Sequence, residues 1–251
     1  MRSEKPAGRR PGGFSGAGLL LAITLVLASC AGEPAGEAAR VRAEESADEE
    51  APAGIGGLAE SSSAPLPASY DYRKEGRAPR IGNQGELGTC WAFASLTALS
   101  SSLLPEEDLT FSVDHMTRHN HFQLEPNEGG EYTMSMAYLL SWTGPVPEEA
   151  DPYGDGISPE GLSACRHVQE IQILPSKDYE AIKRAVYLQG GVQSALYTSM
   201  ENGMDESPHY NPQTNAYCYE GPSAPNQDSV IIGWDDAYPK ESSSMEPEGD
   251  G

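Results

Sequence analysis

Cys90 stands where a Gly-punctuated polar loop, Ile81 to Thr89, gives way to the apolar run Trp91-Ala92-Phe93, and Gln84 lies six residues before it. A thiol in the first turn of a helix meets that turn's unpaired N–H groups and the positive end of the helix dipole. Both stabilise a thiolate, and both can also stabilise an oxyanion. A side-chain amide close by adds a donor to such an oxyanion. Cys90 and Gln84 are therefore a candidate nucleophile and oxyanion donor for acyl transfer. That chemistry also requires a group that takes up and returns a proton.

The elements that must position these residues are partly readable. Ala92, Leu96, Leu99 and Leu103 repeat at spacings of four, three and four, so a helix runs from Cys90 with one apolar face until Pro105 stops it. Phe93, on a neighbouring face, is expected in the core. A second helix is expected over 131–142 behind Gly129-Gly130, with Met134, Tyr138 and Trp142 packed inward. Later segments are β-rich: Val168 to Ile173, Val192 to Thr198 and Ser229 to Trp234 read as strands, and Asp178 caps a helix that runs to Gly190-Gly191. Residues 199–226, rich in Asn, Pro, Ser and Gly, are expected as a long loop beside the cleft. Helices first and strands later give an α+β class.

The segment from Gln84 to Phe93 resembles the nucleophile motif Q-G-x-C-G-S-C-W-A-F of the papain family of cysteine peptidases, matched at Gln84, Gly85, Gly88, Cys90, Trp91, Ala92 and Phe93. Tyr70-Asp71-Tyr72-Arg73 is similar to the family's opening D-W-R, Phe111-Ser112 to its L-S-E-Q helix start, and Asn127-Glu128-Gly129-Gly130 to its N-G-G substrate loop. The resemblance implies a papain-like two-lobe fold, a helical lobe facing a small antiparallel β-barrel across the active-site cleft. It implies an extended peptide or protein substrate, with Gly129 and Gly130 binding it, and no cofactor. The family's histidine follows the cysteine by roughly 130 to 150 residues, and 227 − 90 = 137 points to Gln227. The strand motif H-A-V-x-x-V-G-[YW] agrees, since its glycine matches Gly233, six residues beyond Gln227. A glutamine has no protonation change near neutral pH, so the acid–base role is empty at that position. The asparagine motif N-S-W-G has no match after Asp236, which leaves the barrel incomplete and reads as a piece of a longer protein or a short second lobe.

Other groups are poorer bases. His115, His119 and His121 are expected to face solvent, His167 precedes a strand, and His209 sits in the long loop. Asp228 adjoins Gln227, but the strand pleat turns neighbouring side chains to opposite faces. The expectation is a papain-like cysteine peptidase that has lost most or all of its amide-hydrolysing power, with an active enzyme that uses a substitute base and a non-catalytic peptide-binding module as the alternatives.

Composition limits the setting. The net charge of −22, from 38 acidic and 16 basic residues, disfavours nucleic acid as a partner. Residues 1–30 read as a signal peptide: Arg2, Lys5, Arg9 and Arg10 lead an apolar core from Gly18 to Ser29 that ends at Cys30, similar to a bacterial lipobox. Lipidation of Cys30 would tether an exported protein at the cell envelope. Residues 31–67 are an Ala, Gly, Glu, Ser and Pro tether that cannot bury a core and lacks the helical periodicity of the family's inhibitory prosegment. Residues 68–251 then hold the peptidase domain. Leu87 stands where the family has the first cysteine of C-G-S-C, so that disulfide is missing; Cys165 and Cys218 are either paired or two inert thiols. No cysteine or histidine spacing suggests a metal site.

Overall fold

The computed structural model describes residues 19–24, 64–199, 207–245 and 247. Helix α1 (Cys90–Leu103) is the axis of the first lobe, with Ala92, Leu96, Leu99 and Leu103 all buried on the face that their spacing defines. It ends at Leu103, before Pro105, whose ring cannot continue a helix. Helices α2 (Val113–His119) and α3 (Tyr132–Leu140) pack against it, and Met116, Met134, Tyr138 and Leu139 complete one apolar cluster. Ser112 starts α2 by accepting a hydrogen bond from the His115 backbone N–H at 2.9 Å.

The second lobe is built from strands. A four-stranded antiparallel sheet runs in the order β3 (Glu170–Pro175), β1 (Leu19–Thr24), β4 (Val192–Leu196), β7 (Gln227–Ile231). A short pair, β2 (Ser69–Asp71) with β8 (Gly233–Asp235), lies beside it. Helix α4 (Tyr179–Leu188), capped by Asp178 through the Ala181 N–H at 3.1 Å, covers a second core of Tyr72, Ile182, Val186 and Val192. The architecture is α+β with an open sheet, and the described residues form no closed barrel. Among them, no helix is long and apolar enough to cross a membrane.

Four expectations need correction. His115 is buried, not solvent-facing: its Nδ1 meets the Tyr138 hydroxyl at 2.7 Å and its ring stacks on His119 at 4.3 Å, because α2 turns that side toward α3. Trp142 is 50% exposed, since α3 ends at Leu140 and Trp142 takes a left-handed φ of 59°, stacking on His167 instead. The strand expected from Val168 begins at Glu170, and Val168 joins the helical core. Within the expected long loop, β5 (Tyr210–Asn211) and β6 (Ala216–Tyr217) form a small hairpin turned by Asn215 at φ 57°.

The segment read as a leader core contributes β1, whose backbone bridges β3 and β4 in register from Leu19↔Pro175 and Leu20↔Ser194. The rest of the expected leader, including Cys30, and residues 31–63 of the expected tether lie outside the described residues.

Candidate active site

The loop before α1 is shaped by short-range bonds. Asn83 Oδ1 accepts from the Gly85 N–H at 2.9 Å, and Gly85 takes a left-handed φ of 60° that suits a residue without a Cβ. The Tyr153 hydroxyl donates to the Gln84 carbonyl at 2.9 Å and meets the Thr89 hydroxyl at 2.8 Å, pinning the loop to the head of α1. Thr89 makes no side-chain cap, so the first N–H groups of α1 stay available. Two of these donors, the N–H groups of Cys90 and Trp91, and a third from Asp228 on β7 favour the Cys90 thiolate. Burial outweighs them, and the Asp228 carboxylate adds a like charge, so the thiol titrates above its usual range.

The two amides are held by each other. Leu87's carbonyl can only accept, so Gln84 turns its Nε2 toward it at 2.8 Å. Gln84 Oε1 is then left to accept from Gln227 Nε2 at 3.2 Å. Gln84, Cys90, Gln227 and Asp228 line one cleft of about 410 Å³, with Arg73 and Arg80 on its outer wall. Both arginines are paired, Arg73 with Asp71 and Arg80 with Asp108.

No histidine lines this cleft. His209 is turned away, its Nδ1 against Met245 Sδ and its ring against Tyr219. Asp228 lies where the pleat argument did not place it. In the β4–β7 register Gln193 faces Val230 and Ala195 faces Asp228, so all four share one side of the sheet. Gln193 shows that this side faces α1, because its Nε2 donates to the Trp91 carbonyl at 3.4 Å and its Oε1 lies 2.7 Å from Ser95 Oγ. Burial raises the Asp228 carboxyl to about 6, against the Gln193 amide beside it, which favours the ionised form. Gln227, on the opposite side of the pleat, is the first residue of β7 and reaches Gln84 from there.

Gly129 and Gly130 lie against the same helix start. A Cβ at Gly88 would come within 2.7 Å of the Gly129 nitrogen, and one at Gly130 would collide with the Trp91 indole. Cys165 and Cys218 are both free thiols. Among the described residues no group of His, Cys, Asp and Glu is arranged to hold a metal ion. Sequence reasoning missed Tyr153, whose partners Thr89 and Gln84 are 64 and 69 positions away, and Gln193, whose anchors Ser95 and Trp91 are 98 and 102 away. A buried polar residue inside a β-branched strand was the only signal for Gln193.

Residues 66–240 match the family described as papain family cysteine protease. Cathepsin K of Gallus gallus is 32% identical over 141 residues, covering 53% of this chain and 41% of the relative. Pro-cathepsin H of Bos taurus is 25% identical over 184 residues, covering 68% and 52%. The chain thus spans about half the length of the curated relatives it matches. Among solved structures, the cysteine protease and lectin-like domains of Cwp84, a surface layer associated protein of Clostridium difficile, superpose with a TM-score of 0.63 at 23% identity, over 74% of this chain and 44% of that one. A structure from work on the mite allergens Blo t 1 and Der p 1 gives 0.52 at 22% identity, over 68% and 58%. At these identities the structures establish likeness of fold.

Proposed function

Since the chain belongs to the papain family of cysteine proteases, we propose that residues 68–251 are a thiol-dependent peptidase domain with impaired amide hydrolysis. Cys90 is the nucleophile toward a peptide carbonyl. Its own N–H and the second N–H of Gln84 Nε2 receive the oxyanion. Gln227 occupies the place of the family's histidine and steadies Gln84 instead of moving a proton. The Gly129-Gly130 edge accepts the extended peptide backbone. The observation that carries this reading is the meeting of the Cys90 sulfur, the donors at the head of α1 and Gln84 in one cleft.

A binding module without turnover is the second reading. It is favoured by the Gln84 amide, which is engaged at both ends, and by a thiol that burial keeps protonated. The basic lead and apolar core of residues 1–30 support export, Cys30 supports a lipid tether at the envelope, and residues 31–67 are its spacer. The fold neighbour named as surface layer associated is consistent with that location.

The test is hydrolysis of a peptide anilide by the wild type, Cys90→Ala and Gln227→His. The expected result is slow turnover that vanishes in Cys90→Ala and rises at least tenfold in Gln227→His, because an imidazole restores proton transfer worth roughly 100- to 10,000-fold. Peptide binding without Cys90-dependent turnover in either the wild type or Gln227→His would replace the peptidase reading with the binding module.

A further inference from the structure

We propose that Asp228, held in place by Gln193, is the acid–base group of the Cys90 site. This rests on the reading of Cys90 as a nucleophile. The sheet register turns Asp228 toward α1 together with Gln193, Ala195 and Val230, and Asp228 shares the cleft with Cys90 and Gln84. Its backbone N–H favours the Cys90 thiolate and its carboxylate opposes it, so Asp228 stands beside that sulfur from the opposite lobe.

Gln193 is a built support. It is 2% exposed, anchored on the Trp91 carbonyl and Ser95, and Ser95 Oγ in turn lies 2.5 Å from Ser135 Oγ on α3. A fully buried amide tied to the backbone of the nucleophile's own helix thus stands beside the Asp228 carboxyl. The other groups facing it are Cys90 from α1, the neutral amides Gln84 and Gln227, and the ion-paired Arg73 and Arg80. No free cation among the cleft residues competes for the carboxylate.

The proton path closes without another reactant. The Asp228 carboxylate takes the Sγ–H proton as the Sγ–C bond forms, and the resulting acid returns it to the departing amine or alcohol as that bond breaks. A water then attacks the thioester, gives its proton to Asp228, and the Cys90 sulfur leaves and recovers that proton as a thiol. A carboxyl raised to about 6 is ionised at neutral pH and titrates close enough to it to give a proton back.

The experiment compares Asp228→Asn, which keeps the shape and an acceptor for Gln193, with the wild type and Cys90→Ala. One readout is hydrolysis of an N-blocked amino-acid ester. The other is the rate of Cys90 alkylation by iodoacetamide at pH 8. Asp228→Asn is expected to lower Cys90-dependent ester turnover by roughly 100-fold and to raise the alkylation rate, because removing the like charge lets the sulfur ionise more readily. The ester pH profile should also lose its acid limb near 6. Turnover within threefold of wild type overturns the inference, and so does a parallel fall in both rates, which marks a displaced sulfur. Equal turnover by Cys90→Ala and wild type overturns the nucleophile reading instead.

Discussion

Gln227 and Asp228 are neighbours in sequence that line one cleft from opposite sides of the pleat, and of the two only Asp228 can titrate. Asp228 is raised to about 6 by burial, so the folded chain holds its proton across a range in which the unfolded chain has released it. Below the unfolded value both states are protonated and nothing is lost. As pH rises through the folded value, ionising a buried carboxyl destabilises the fold. The melting temperature of Asp228→Asn minus that of the wild type should therefore grow between about pH 4 and 6 and then level off. A difference that stays flat with pH would place the carboxyl in solvent. His115 works in the other direction: burial, with His119 beside it, lowers it to about 4, so stability is lost as pH falls from its unfolded value toward that one. The two slopes oppose each other in the wild type, and Asp228→Asn should reveal the acid-side loss more steeply. The placement of Cys90 at the start of α1, with Gln84 in the loop before it, was legible from sequence because short-range loop and helix geometry sets it. The facing of Asp228 was not, because the pleat says only that it opposes Gln227, and which side meets α1 depends on a pairing 33 residues away, Ala195↔Asp228.

The helix α1 was readable from its apolar spacing and Pro105, since both signals are local. Helix α3 was readable at its start and not at its end: a four-residue spacing carries Trp142 into the core only while the helix continues, and the left-handed turn at Trp142 stops it. The β5–β6 hairpin escaped because its strands are two residues each, although Asn211 to Asn215 between Tyr210 and Tyr217 is a turn signal. Among the glycines, Gly130 bears on how the helical lobe meets the cleft. Gly130→Ala would drive a methyl group into the Trp91 indole at the first turn of α1. It is expected to destabilise the protein by about 1–3 kcal/mol, read as a lower urea midpoint at unchanged slope. An unchanged midpoint would mean that the Gly129-Gly130 loop does not brace the helix.

Two apolar clusters, one around α1 and one under α4, give the chain its two lobes, and the cleft lies where β7 crosses the head of α1. That arrangement was legible as an order of helices then strands, while the open sheet was not, because β1 comes from far outside the β-rich half. Every sheet pairing of β3 in the described residues is with β1. A chain lacking residues 1–30 should therefore lose hydrogen-exchange protection across 170–175 and at the β1-facing amides of 192–194, while α1 stays protected. Equal protection in both chains would show that the sheet holds without β1. If the apolar leader core is also the part that a secretion channel must grip, the six residues Leu19–Thr24 cannot be threaded and woven at the same moment. Translocation then becomes a race: a precursor that completes its sheet first has hidden its own export ticket, and only a chain kept unfolded until it reaches the channel gets across.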